Sequence, residues 1–140
     1  MPIEQLKEVL DKYDYIDFAL LFGSYADDTA KTLSDVDIAI HTNKTIDLLE
    51  QGYLVSMLED TLDKPVDLVL LNDLYKHHAK LAFNIIDKHQ VILQRDRKKY
   101  IEFKTYTYKY YFDQEPMYRM FDKSLHTRIE RGTYGKTQAS

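Results

Sequence analysis

Gly23-Ser24-Tyr25-Ala26, then Ser34-Asp35-Val36-Asp37-Ile38-Ala39-Ile40, then Pro65-Val66-Asp67-Leu68-Val69-Leu70-Leu71: these three stretches decide how the chain folds. Each adjoins a short apolar run that reads as a buried strand. In Asp35-x-Asp37 the side chains are two residues apart, so on extended backbone both carboxylates point to one face. Val36, Ile38 and Ile40 then point to the opposite face, into a core. Two neighbouring carboxylates and a third on a separate strand make a hard, oxygen-rich site of the kind that holds Mg²⁺ against substrate phosphates.

Gly23 lets the backbone turn sharply after the first strand and lets a phosphate approach. Ser24 adds a hydroxyl where a following helix would aim free N–H groups at an anion. A Gly-Ser pair after a strand is most often just a turn, and carboxylates at strand ends are often only solvated. The combination, with ten residues between Ser24 and Asp35 and Asp67 on another strand, is far more specific. Two carboxylates about 4 Å apart repel by roughly 4 kcal/mol at an effective dielectric of 20. Such clustering persists where a cation offsets it, and without one at least one carboxyl should titrate high as part of a coupled site.

Outward from these motifs, residues 2–13 read as a helix with Ile3, Leu6, Val9, Leu10 and Tyr13 on one stripe. Residues 16–22 form a strand, 24–30 a short helix and 36–41 a second strand. Thr45 to Asp63 reads as a helix with Leu48, Val55, Leu58 and Leu62 inward, stopped by Lys64-Pro65. Residues 66–71 form a third strand whose continuous apolar run predicts a central place in the sheet. Asn72 is the expected cap of a helix of about 15 residues carrying Leu74, His78, Leu81, Ile85 and Ile86. Val91-Ile92-Leu93 reads as a last short strand. Adjacent His77 and His78 project to different sides of that helix and cannot act as a metal-binding pair.

The 140 residues make one domain with a core of its own, at 44% apolar and 30% charged residues. No apolar run approaches the roughly 18 residues of a membrane span, and the N-terminus does not read as a signal peptide. With no cysteine there are no disulfides or thiolate metal sites, which fits a cytoplasmic protein. The net charge of −4 hides an asymmetry: residues 1–93 hold 8 Lys/Arg against 17 Asp/Glu, and residues 94–140 hold 11 against 6. An acidic body argues against broad binding to a phosphate backbone, so direct nucleic-acid contact is not expected.

From Arg95 the character changes, and six of the 12 tyrosines fall between Tyr100 and Tyr118. Tyr100, Phe103, Tyr106 and Tyr110 share a helical face, while Tyr106, Tyr108, Tyr110 and Phe112 also alternate like a strand. Helix is the favoured reading, broken near Glu115-Pro116 and resumed to about Ile129. The tyrosines fit core packing, a protein interface, or base stacking on RNA. The organisation predicted is a core over 1–94, a C-terminal helical extension over 95–130 packing on the core or a partner, and a disordered tail over 131–140.

The run Gly23-Ser24-x10-Asp35-x-Asp37, the later Asp67 and the short length resemble the minimal nucleotidyltransferases (MNT) of the polymerase-beta superfamily. Leu71-Asn72-Asp73 and Val91-Ile92-Leu93-Gln94-Arg95-Asp96 are also similar to that family's stretches, and the likeness covers about residues 3–129. The resemblance implies an α/β (α+β) fold, a small mixed sheet flanked by helices with a C-terminal helical arm. It implies that Asp35 and Asp37 bind Mg²⁺, that Asp67 helps bind a second ion or deprotonates the acceptor, and that Gly23 and Ser24 hold nucleotide phosphates. Proteins of this kind are commonly antitoxins of HEPN-domain ribonuclease toxins, so the implied reaction is transfer of AMP from ATP to a toxin tyrosine, with the tyrosine-rich arm gripping the toxin. Alternatives are a binding-only antitoxin and an enzyme acting on a small hydroxyl compound. The chain departs from the family at Asp27-Asp28, where relatives often carry Arg-Gly. Two extra negative charges there would weaken nucleotide binding unless they point away or bind metal; the alternatives are a solvated helix end or a contact to a basic partner.

Overall fold

The computed structural model describes residues 3–26 and 34–126, with side chains described through Asp113. Chain order is α1 (Ile3–Leu10), β1 (Ile16–Phe22), a single 3₁₀ turn (Gly23–Tyr25), β2 (Val36–Thr42), α2 (Leu48–Leu62), β3 (Val66–Leu70), α3 (Leu74–His77), α4 (Ala79–Asp87), β4 (His89–Gln94) and α5 (Arg97–His126). The four strands form one mixed sheet in the order β3-β2-β1-β4. β1 runs antiparallel to both β2 and β4, and β2 runs parallel to β3. A parallel neighbour needs a crossover connection, and α2 supplies it.

Alternation along the strands sorts the core into two layers. Ala19 and Leu21 of β1, with Val36, Ile38 and Ile40 of β2, face Leu6, Val9 and Leu10 of α1 and Leu54 and Leu58 of α2. Phe18, Leu20 and Ala39 face the other way, against Ala82, Ile85 and Ile86 of α4 and Phe103 of α5. β1 is therefore covered on both faces, which is why its sequence is almost continuously apolar.

The exception in β1 is Asp17, which is buried. An irregularity in register between Ile16 and Phe18 brings it beside β2, where Asp17 Oδ2 lies 2.8 Å from His41 Nδ1. The Asp17 carbonyl also accepts the N–H groups of Arg95 and Asp96, tying the start of α5 to the sheet. Arg95 locks the same corner, its Nη1 donating to the carbonyls of Tyr13 and Ile16 and its Nη2 to Asp11.

Four local expectations are corrected. β3 is an edge strand. Its apolar run reports two covered faces, with Leu68 toward α2 and Val69 toward α4 and α5, and not two hydrogen-bonded edges. In α2 the Asp47 side chain accepts the Glu50 N–H and caps the helix, so Leu48 falls in the first turn and is 82% exposed. Leu54 and Leu58 carry the burial, with Val55 and Leu62 partly covered.

The helix expected from Asn72 is two helices broken at His78, whose φ −141° and ψ 63° are not helical. Asn72 caps no helix: its Nδ2 donates to the Thr42 carbonyl and its Oδ1 accepts from the Thr42 N–H and hydroxyl, closing the end of β2. The break lets α4 bury Ala79, Ala82, Ile85 and Ile86 while His78 and Leu81 face outward. Finally, α5 runs unbroken through Glu115-Pro116. A proline inside a helix removes one N–H and can kink it without ending it. The expected short helix over 24–30 is described only as far as Ala26. Asp27-Asp28 and the 131–140 tail lie outside the described residues.

Among the described residues no helix is long and apolar enough to cross a membrane.

Two groups make the stability of this frame testable. The hydroxyl of Thr107 on α5 is fully buried and has no hydrogen-bond partner among the described residues. Thr107→Val keeps the shape and removes the stranded polar atom, so it should stabilise the protein by about 1 kcal/mol in denaturant unfolding. His89 is held neutral: one ring nitrogen lies 2.9 Å from the Ile86 carbonyl and the other 2.8 Å from the Tyr100 hydroxyl. Burial, aided by the Lys104 charge, holds its pKa below the usual 6.5. The unfolded chain then takes up the proton first, so this contribution is full above about pH 6.5 and is lost as pH falls through the folded-state value. The melting temperature should drop on acidification from about pH 7.5 to 5.5, and His89→Gln should flatten that slope.

Candidate active site

The end of the sheet where β1 stops and β2 and β3 begin gathers the acidic motif residues. Phe22 of β1 pairs with Asp37 of β2, and Asp37 pairs with Asp67 of β3. Residues paired in register on adjacent strands project to the same face about 4.8 Å apart, so Asp37 and Asp67 stand side by side. Val36 and Ile38 point into the α1–α2 layer, so both carboxylates project on the α4–α5 side, past the end of its apolar cover. Asp35 lies just ahead of β2 and is exposed, as is Asp67, while Asp37 is half-buried. The strand face expected to carry both Asp35 and Asp37 thus begins one residue after Asp35.

Electrostatics makes Asp37 the centre of the group. Its pKa is raised above 3.8, first by burial, then by the charge of Asp67, then by that of Asp35. All three carboxylates are therefore within electrostatic reach of one another through Asp37. Among the described residues, no three carboxylate or imidazole side chains are close enough together to enclose a cation by themselves. An open row of hard oxygen donors still fits Mg²⁺, which keeps part of its water shell and takes other ligands from substrate phosphates.

Gly23 explains how so much charge is accommodated. Its φ of +74° is a conformation that L side chains avoid, and a Cβ placed there would overlap Asp37 Oδ2. The missing side chain is the space the Asp37 carboxylate uses. The sequence pointed to the turn and to phosphate approach; the overlap with Asp37 is a tertiary fact. Ser24, half-buried, follows in the 3₁₀ turn, which closes with the Ala26 N–H on the Gly23 carbonyl at 3.0 Å.

Two residues that the motifs did not single out for the site hold this turn in place. Gln90 of β4 donates its amide to the Ala26 carbonyl at 3.1 Å, across 64 positions of sequence that no local pattern links. The Tyr25 hydroxyl donates to the Ser34 carbonyl at 3.3 Å, joining the Gly-Ser turn to the acidic motif, and Lys64 lies 5.8 Å from the centre of the Tyr25 ring. The Val36 N–H bonds the Pro65 carbonyl at 2.9 Å and starts the β2–β3 pairing that aligns Asp37 with Asp67. His77 ends α3 and His78 forms the break before α4; both are exposed and outside this group of carboxylates.

Comparison with known proteins bears on the fold and the family. Over 74 residues the chain is 36% identical to a putative protein adenylyltransferase of Methanocaldococcus jannaschii, covering 53% of this chain and 74% of that one. In fold it is similar to a chain of a toxin–antitoxin crystallised with AMP-PNP, with TM-score 0.72 and 22% identity over 89% of this chain and 99% of the other. It is also similar to a chain of the tri-AMPylated Shewanella oneidensis HEPN toxin in complex with MNT antitoxin, with TM-score 0.67 and 22% identity over 88% and 95%. At that identity the two structures speak for the fold alone. Residues 4–98, which contain the Gly-Ser turn and all three aspartates, match the family model described as polymerase beta, nucleotidyltransferase, and the chain belongs to that family.

Proposed function

We propose that this protein is a cytoplasmic antitoxin that transfers AMP from ATP to a tyrosine hydroxyl of a cognate HEPN ribonuclease toxin and so neutralises it. The observation that carries the proposal is the pairing of Asp37 with Asp67 against the side-chain-free Gly23 turn. The adenylyltransferase relative supports the reaction class, and the nucleotide and partner proposed are those of the complexes whose chains share this fold.

In this reading Asp35 and Asp37 hold Mg²⁺, with Asp67 available to a second ion. Bound Mg²⁺ supplies charge neutralisation at the triphosphate and Lewis acidity at the reacting phosphorus. Gly23 lets the terminal phosphates approach the backbone, and Ser24 offers them its hydroxyl. The tyrosine oxygen forms a bond to the α-phosphorus as the bond from that phosphorus to the bridging oxygen breaks. Pyrophosphate leaves with the electron pair. Alternatively Asp67, exposed beside Asp37, takes the tyrosine proton instead of holding that second ion.

Incubation with ATP labelled at the α-phosphate, Mg²⁺ and the cognate HEPN protein should put label on the HEPN protein and silence its ribonuclease activity. Replacing Asp35 and Asp37 together by Asn should cut labelling by more than about 100-fold while leaving binding of the HEPN protein intact. Binding without label would favour a binding-only antitoxin, and label on a small hydroxyl compound alone would sink the protein-acceptor reading.

A second outcome follows from the crowding at Asp37. Its raised pKa means that the folded state disfavours the ionised form, so stability is lost as pH rises through the folded-state value. At neutral pH without divalent ions, Asp37→Asn should therefore raise the melting temperature. Mg²⁺ should raise that of the unsubstituted protein and leave the Asp35→Asn/Asp37→Asn double variant unmoved.

A further inference from the structure

A cavity of about 190 Å³ opens at the end of the sheet away from the carboxylates, between the end of β2, the turn after β3, α3 and α5. Its α5 wall is Lys99, Glu102, Phe103 and Tyr106, whose spacings of three and four residues put them on one face of the helix. His41 of β2 lines it as well. That residue shares a strand face with Asp37 but stands four residues, about 13 Å, further along. Its ring is held from three directions. It stacks on Phe18 with centroids 5.2 Å apart, meets Phe103 edge-on, and lies 2.8 Å from Asp17 through Nδ1. The Asp17 side chain is only 8% exposed. An ionised carboxylate can only accept hydrogen bonds, so the proton of the neutral ring sits on Nδ1 and Nε2 is left as an acceptor. Nε2 has no hydrogen-bond partner among the described residues, and it is not one of the buried, stranded atoms there, which are confined to the Thr107 hydroxyl. Glu102, half-buried in the wall, has no ion-pair partner among the described residues, whereas Asp73 pairs with Lys76 at 3.4 Å. None of these groups enters the transfer chemistry.

We propose that this cavity is a binding site for a small aliphatic primary amine, whose ammonium group donates to His41 Nε2 and to the Glu102 carboxylate. The cavity offers acceptors and rings, and an ammonium is their complement: it has three donors, no acceptor, and an attraction to aromatic faces. Tyr75, Phe103 and Tyr106 supply those rings. Lys99 is exposed, so its flexible stem can carry its charge into water, where it lowers affinity for a cation without excluding one. An anion would instead meet the carboxylates of Glu102 and Asp73. A nucleotide is too large, since sites for ligands of that class run to roughly 300–1,000 Å³. An amine held there joins β2 to α5 and stabilises the folded chain by mass action. The inference stands apart from the adenylyl transfer proposed above, because no carboxylate of that site takes part in it.

The test is titration of the full chain with butylamine and, separately, with butyrate, followed by calorimetry and by the ring-nitrogen resonances of His41 in isotope-labelled protein. Butylamine should bind one-to-one, move the His41 Nε2 resonance and raise the melting temperature, and butyrate should do none of these. Glu102→Gln should raise Kd for butylamine at least about tenfold, the loss of one charge-assisted hydrogen bond. Lys99→Gln should lower that Kd, because it removes a like charge from the rim. Unchanged melting temperatures without ligand would verify that both variants fold. If Glu102→Gln does not fold, the direction of the Lys99→Gln effect and the His41 resonance decide. Butyrate binding that Lys99→Gln abolishes would overturn the inference in favour of an anion site. Butylamine binding that leaves the His41 resonance still, or that is as tight in folded Glu102→Gln, is general attraction to an acidic body and would overturn it too. So would the absence of butylamine binding at millimolar concentrations.

Discussion

Like charge held together at the end of a sheet is the constraint on which the rest of this molecule depends. Asp37 is half-buried between the Gly23 turn and Asp67, with Asp35 close enough to add to the repulsion. A fold settles such an arrangement only when surrounding contacts over-determine it. Here they come from three directions: the parallel pairing of β2 with β3, the antiparallel pairing of β2 with β1, and the absent side chain at Gly23. Among the described residues, burial and both neighbouring carboxylates push the Asp37 pKa upward, which is the physical argument behind the cation and polyphosphate proposed for this site.

The opposite end of the sheet solves a different problem with the same elements. Asp17 and His41 form a buried ion pair or hydrogen bond there, and the Asp17 carbonyl receives the first two N–H groups leading into α5. Stacking of His41 on Phe18, and of Phe18 against Tyr100 and Phe103, carries that anchoring into the helix. One end of β1 and β2 thus exposes charge for chemistry, while the other buries charge to hold α5 across the sheet. The separation anchors α5 without drawing on the carboxylates.

Much of the fold was legible because local pattern and tertiary role coincide. Residues 16–22 read as a strand and are one, since both of the strand's faces are covered and every position can be apolar. The tyrosine segment, ambiguous between helix and strand, is helical because Phe103 and Thr107 must face the body one turn apart. Other features were not legible. An apolar run reports covered faces and is silent about hydrogen-bonded edges, so β3 read as central although it lies at the edge. Asn72 has the chemistry of a helix cap, yet Thr42, thirty positions earlier, captures its amide. The grip of Gln90 on the Gly-Ser turn spans 64 positions and leaves no local trace.

What the sequence determined by itself was the chemistry: three aspartates, a Gly-Ser turn, and the strand spacing that places alternate residues on one face. Those depend on residue type and on a period of two, both of which are local. What only the tertiary structure decided was adjacency. Asp37 meets Asp67 because the crossover through α2 brings β3 alongside β2 in one register, and Gly23 is required because Asp37 occupies the volume its side chain would take. Register and excluded volume are relations between distant segments, and no local pattern encodes them.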